Sequence, residues 1–371
     1  MKSILLTTTA IVAFAGAAVA DGHTSVSLSG SASLGYNDDW EDGFYWSTNL
    51  GVSMSAALDN GVTAGVVFDI EVDDEGDGNN DQFFANNDFN LVSSDLVLSL
   101  TTENAGLYFG DTAFAAESQW KSAGDMEADI FSEADGEVAL RGDMNVAGVS
   151  ASVSYVIADT AGVYATDIST DTQDQLSVGV SGDLGMFGFA LAYQEEADVF
   201  ASAGDFHAQE VFGVSGSVSV AGADITLAYA SNETDDTSST GIQVAYPFGP
   251  VTATVYYVSE DDGSDEDNYG VTVAYADGPI AVTADYDYDQ GTDKWKLDGS
   301  YDVGNGLTVL AGALNENEGD DADYYVAGTY DLGGGAEVLV SYAEDADGDQ
   351  ADEIGAPEYL PGTTVKLTFS F

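Results

Sequence analysis

Apolar and polar residues alternate one by one along most of this chain, and a period of two restricts it to β-strands with a single apolar face. From Val26 the apolar set is Val26, Leu28, Gly30, Ala32, Leu34 and Tyr36, and the residues between are Ser27, Ser29, Ser31, Ser33 and Gly35. A second run reads Trp46, Thr48, Leu50, Val52, Met54, Ala56 and Leu58, closes on Asp59-Asn60-Gly61, and continues as Val62, Ala64, Val66, Phe68, Ile70 and Val72. Asn-Gly between two alternating runs is a hairpin signal. The pattern persists to Val365, Leu367, Phe369 and Phe371. Each run has about 9–11 residues, the length of a tilted strand that crosses a bilayer.

The connections divide into short turns, such as Pro247-Phe248-Gly249-Pro250 and Ala276-Asp277-Gly278-Pro279, and long acidic loops at 73–86, 111–136, 158–173, 194–206, 231–239, 259–268, 314–323 and 343–358. Short turns at one end and long loops at the other are the layout of a transmembrane antiparallel β-barrel. No linker or change of composition divides the chain, so residues 21–371 form one domain. Residues 1–20 have a basic start, a short apolar stretch and Ala18-Val19-Ala20 before Asp21, the pattern of an export signal peptide. The predicted location is the bacterial outer membrane.

Composition removes several alternatives. There are 66 acids against 6 bases and a net charge of -60, so a nucleic-acid partner is excluded for want of a basic face. Such charge often marks disorder, but 20 Tyr and 17 Phe set in a regular alternation oppose that reading. Cysteine is absent, which removes disulfides, thiol chemistry and zinc-thiolate sites. Only His23 and His207 could act as imidazole bases, and neither G-x-S-x-G nor H-E-x-x-H occurs, so no enzyme is expected.

Tyr193, Tyr229, Tyr246, Tyr257, Tyr275, Tyr286, Tyr301, Tyr330 and Tyr342 share the parity of the apolar face, mostly near strand ends. Rings so placed build the aromatic girdles of lipid-facing strands. The bases have the opposite parity: Arg141, Lys294, Lys296 and Lys366 fall between apolar-face residues and belong to the wall of a pore, and Lys121 is in a loop. A Lys or Arg on the lipid face costs roughly 2–4 kcal/mol at midplane.

The chain resembles the trimeric general porins of Gram-negative bacteria, especially the alphaproteobacterial type. The resemblance is carried by Val26-Ser27-Leu28-Ser29-Gly30, by Asp323-Tyr324-Tyr325 through Tyr330-Asp331-Leu332-Gly333-Gly334-Gly335, and by the closing Lys366-Leu367-Thr368-Phe369-Ser370-Phe371. It implies a 16-stranded barrel and a homotrimer, with Phe371 as the signal read by the barrel-assembly machinery. The alternating runs themselves number about 20, so the reading spans 16 to 20 strands. The resemblance also implies a long third loop folded into the lumen, here residues 111–136. That segment holds Asp111, Glu117, Asp125, Glu127, Asp129, Glu133 and Asp135 against one base, Lys121. The family faces such acids with an arginine cluster, whereas this chain has a single arginine, so the constriction should be negative nearly all round.

The expected function is a water-filled, cation-preferring channel for passive diffusion of ions and small hydrophilic solutes, in contact with outer-membrane lipid and lipopolysaccharide. No cofactor is expected. Calcium is a weak candidate ligand of Asp73–Asp81 and Asp345–Asp349, neither of which completes the spacing of a twelve-residue calcium loop. The competing reading is a secreted acidic calcium-binding or adhesive β protein without channel activity.

Overall fold

The computed structural model describes residues 24–73, 92–133, 138–158, 175–197, 206–261, 263, 266–315, 322–344 and 359–371. They form one closed antiparallel sheet of 20 strands. The first seven are β1 (Thr24–Asn37), β2 (Gly43–Ala57), β3 (Thr63–Asp73), β4 (Val92–Thr101), β5 (Ala105–Gly110), β6 (Val138–Val146) and β7 (Val149–Ala158). Next come β8 (Leu176–Leu184), β9 (Phe187–Gln194), β10 (Val211–Val220), β11 (Ala223–Asn232), β12 (Thr237–Phe248), β13 (Val251–Asp261) and β14 (Asn268–Asp277). The last six are β15 (Ile280–Asp289), β16 (Thr292–Gly304), β17 (Leu307–Asn315), β18 (Asp323–Gly333), β19 (Ala336–Glu344) and β20 (Gly362–Ser370). Each pairs with its sequence neighbours, and β1 closes on β20 with Leu34 opposite Leu367 and Tyr36 opposite Val365. Beyond β20, Phe371 exchanges both backbone hydrogen bonds with Gly30, at 2.7 and 2.9 Å.

The strand number corrects the expectation of 16 drawn from the family resemblance. Resemblance carries the architecture, while the number of strands follows from the hairpins in this sequence. The segments around residues 86–111 and 137–150 each contain two strands. They turn at 102–104 between β4 and β5, and at Ala147-Gly148 between β6 and β7. Ala147 and Gly148 both have positive φ, 55° and 84°, as do Ala221-Gly222 and Asn305-Gly306. That is the backbone of a two-residue primed turn, whose twist matches the flanking strands.

Large apolar side chains lie on the outside: Leu34, Leu227, Leu297 and Val326 are each at least half exposed. A continuous belt of this kind is far larger than a soluble monomer exposes. Barrel closure leaves no open edge to pair in lipid. Short turns gather at one end and the long loops at the other, although the loop end also holds short connections, the shortest being Gln290-Gly291 between β15 and β16. The 231–239 loop also proves shorter than its polar composition suggests, because β11 runs to Asn232 and β12 starts at Thr237. Residues 1–20, Asp135, and both candidate calcium segments beyond Asp73 lie outside the described residues.

Candidate functional site

The connection between β5 and β6 is the third on the loop side, and its described residues, 111–133, fold into the barrel. It carries the one short helix of the described residues, α1 (Ala115–Gln119), which packs on β7, β8 and β9. Three small apolar clusters join loop to inner wall. Phe114 packs with Ala139, Val156, Ala197 and Phe206. Ala116 and Phe131 pack with Ala192 and Val211. Ala123, Met126 and Ala128 pack with Ala228, Ala230 and Val258, with Trp120 and Tyr256 against them. Val156, Val211 and Val258 are the large aliphatic residues of this inward face among smaller alanines and polar residues, and each is covered by the loop or its neighbours. That break in alternation is the sequence signal of the docking wall, and sequence reasoning missed it.

The wall also satisfies the loop backbone, which needs partners wherever water is excluded. Ala115 N–H donates to Ser154 Oγ at 2.9 Å and Ala116 N–H to Ser177 Oγ at 2.7 Å. Farther along, Ala128 N–H donates to Ser239 Oγ and Ser132 N–H to Gln194 Oε1, at 2.9 and 2.7 Å. The His207 carbonyl closes the return limb, accepting from Ser132 Oγ, Gln175 Nε2 and Gln194 Nε2 at 2.8 to 2.9 Å.

The loop acids fall into two groups. Asp111, Glu117 and Glu133 line one recess at the base. Burial and repulsion from Glu133 raise the Glu117 carboxyl above its ordinary value. At the far end, carboxylate oxygens of Asp125, Glu127 and Asp289 of β15 all lie within 4.8 Å of one another. Burial, with repulsion from Asp125, Asp289 and Glu260, pushes Glu127 up to about 7 against a hydrogen bond from Asn268. Asp129 accepts from Trp120 Nε1 at 2.7 Å and is pushed up to about 6, chiefly by burial. Lys121 is exposed on the loop.

The predicted wall bases all point inward, and each meets an internal partner. Arg141 sits beneath the start of the loop. Its Nη1 donates to the Ala113 carbonyl at 2.8 Å, its Nε lies 3.2 Å from Asp143, and its guanidinium stacks 4.8 Å from the Tyr108 ring. Lys294 pairs with Asp289 at 2.7 Å and Lys296 with Asp285 at 3.1 Å. Lys366 lies over the Tyr45 ring at 5.5 Å. The single arginine therefore holds the loop. Lysine carries one compact ammonium and cannot replace a planar fork that stacks and bonds at once. Arg141→Lys is expected to leave the barrel intact but to raise open-channel current noise, because the Ala113 limb loses its clamp; unchanged noise in planar-bilayer recordings would refute the clamp.

The girdle tyrosines all face outward. Tyr193, Tyr229, Tyr257 and Tyr342 stand toward the loop ends of β9, β11, β13 and β19. Tyr246, Tyr275, Tyr301 and Tyr330 stand toward the turn ends of β12, β14, β16 and β18. Several loop-end phenols donate to carboxylates, among them Tyr193 to Glu210 at 2.8 Å and Tyr257 to Asp267.

A closed barrel with an apolar outside, a polar inside and a loop docked within it defines a channel-type membrane barrel. The chain belongs to the Gram-negative porin family, whose sequence model matches residues 7–350. It is accordingly an outer-membrane porin channel. None of the curated proteins matches it. Among solved structures it is similar to a five-fold substituted variant and to a triple mutant of the porin of Rhodopseudomonas blastica. Each has 14% identity and a TM-score of 0.46, with 94% of this chain and 100% of the other covered.

Proposed function

We propose that this porin is a cation-preferring diffusion channel for small hydrophilic solutes, with the 111–136 loop as its constriction. The observation that carries the reading is the grouping of three carboxylates, Asp125, Glu127 and Asp289, against one lysine, Lys294, which pairs with Asp289, while Lys296 is matched separately by Asp285. A cation about 7 Å from one carboxylate gains ~0.6 kcal/mol in water-like dielectric, and a Debye length of ~8 Å in physiological salt trims the sum over several such groups. Pore width and this field together select the solute. The outward tyrosines act as two interfacial girdles. The porin works as a homotrimer in contact with lipopolysaccharide and is assembled by the barrel-assembly machinery after export. The test is a planar bilayer separating two concentrations of potassium chloride. The zero-current potential should take the sign of a potassium-selective pore; the anion-selective sign would overturn the preference, and absence of current would overturn the channel.

A further inference from the structure

Where the loop crosses the inner wall, three inward residues are glycines on alternate strands. Gly179 is on β8, Gly213 on β10 and Gly241 on β12. A Cβ at Gly179 would stand 2.1 Å from the Ala115 carbonyl oxygen, and one at Gly241 would stand 2.2 Å from that of Ala123. At Gly213 it would meet the Trp120 ring at 2.5 Å. These separations are well inside van der Waals contact, so a methyl group at any of the three requires something to move. The wall is the less yielding side. Gly179 and Gly241 lie in ladders paired on both flanks, β8 between β7 and β9, and β12 between β11 and β13. The loop is fastened by single hydrogen bonds such as Ala115 N–H to Ser154 Oγ.

We propose that Gly179, Gly213 and Gly241 are positioning residues that set the bore of the channel, by fixing how closely residues 111–133 of the loop lie against the wall. This rests on the reading of that loop as the constriction. Restoring ordinary contact at Gly179 and Gly241 needs a displacement of roughly 1 Å, and the only free direction is toward the barrel axis. At the outward glycines Gly142 and Gly328 a Cβ would make only ordinary van der Waals contact, at 3.8 Å, and these two serve as controls.

The experiment compares single-channel conductance of wild type, a Gly179→Ala/Gly241→Ala double variant, and a Gly142→Ala/Gly328→Ala double variant. Heat-modifiable gel mobility reports barrel closure for each. The inward pair should close normally and conduct about a third less, since conductance follows the narrowest radius, while the outward pair should match wild type. The same comparison is repeated in a chain whose residues 113–133 are replaced by a short Gly-Ser linker, where the inward pair should change nothing. Equal or higher conductance of the inward pair in the full chain, or a loss that persists without the loop, would overturn the proposal. A wild-type chain whose conductance does not rise when the loop is removed would instead overturn the constriction reading on which it rests.

Discussion

At pH 8, where Glu127, pushed up to about 7, is ionised, Asp125→Asn with Glu127→Gln should cut the potassium-over-chloride permeability ratio about threefold. Two carboxylates roughly 7 Å from a passing cation contribute ~1.2 kcal/mol together without screening, and salt leaves about half of that. The amide at position 127 keeps an oxygen able to accept from Asn268 Nδ2, as Glu127 does at 3.2 Å, so the loop should hold its place. Barrel closure and conductance in molar salt should therefore change little, while the zero-current potential moves toward zero.

Acidification should act on wild type in the same direction. Glu127 is pushed up to about 7 and Asp129 to about 6, so lowering pH from 8 to 5 protonates both and removes negative charge from the constriction. Glu127 is raised above its ordinary value of 4.5, so the folded loop binds more protons than the unfolded chain between about 4.5 and 7. Acid thus favours the seated loop over that window while weakening the field. Selectivity should fall without any opening of the pore. In the double variant the step near pH 7 should vanish and the Asp129 step should remain, moved below pH 6 because Asp125 and Glu127 no longer repel it; a wild-type potential flat from pH 8 to 5 would refute the assignment.

How much of this was legible in the sequence follows from which interactions are local. A period of two is written residue by residue, so the outward face of β1, with Val26, Leu28 and Leu34, reads directly, as does the inward parity of Lys294, Lys296 and Lys366. The acids of the docked loop were also visible, because its length and charge are properties of one segment. Their partners were not. That Asp125 and Glu127 meet Asp289 depends on the barrel bringing β15 to the loop tip, more than a hundred residues later. The role of Arg141 was hidden for the same reason: inward parity marks it as a wall base, and only the folded loop places the Ala113 carbonyl against it. The family likeness suggested too few strands, since architecture is shared more widely than hairpin number.

Val273→Arg should largely abolish assembly, whereas Thr272→Arg, one residue earlier, should assemble and weaken cation preference. Both residues lie in the middle of β14, where the bilayer is driest. Val273 is 41% exposed on the outside, level with Ala253 and Ala284 on the adjoining strands. Thr272 faces inward, between Thr254 and Asp285. A guanidinium at Val273 must be taken out of water at a cost of roughly 2–4 kcal/mol, which at about 1.4 kcal/mol per decade lowers the folded fraction by one to three orders of magnitude near the midpoint. At Thr272 the same group enters the polar interior, so the desolvation term is absent, and it adds one positive charge beside the Lys296–Asp285 pair. Urea titration of refolding into lipid vesicles measures the first effect, and the zero-current potential the second. The alternating hydrocarbon and water faces set both the barrel and the channel chemistry; equal assembly of the two variants would show that neighbouring residues of β14 do not meet opposite surroundings.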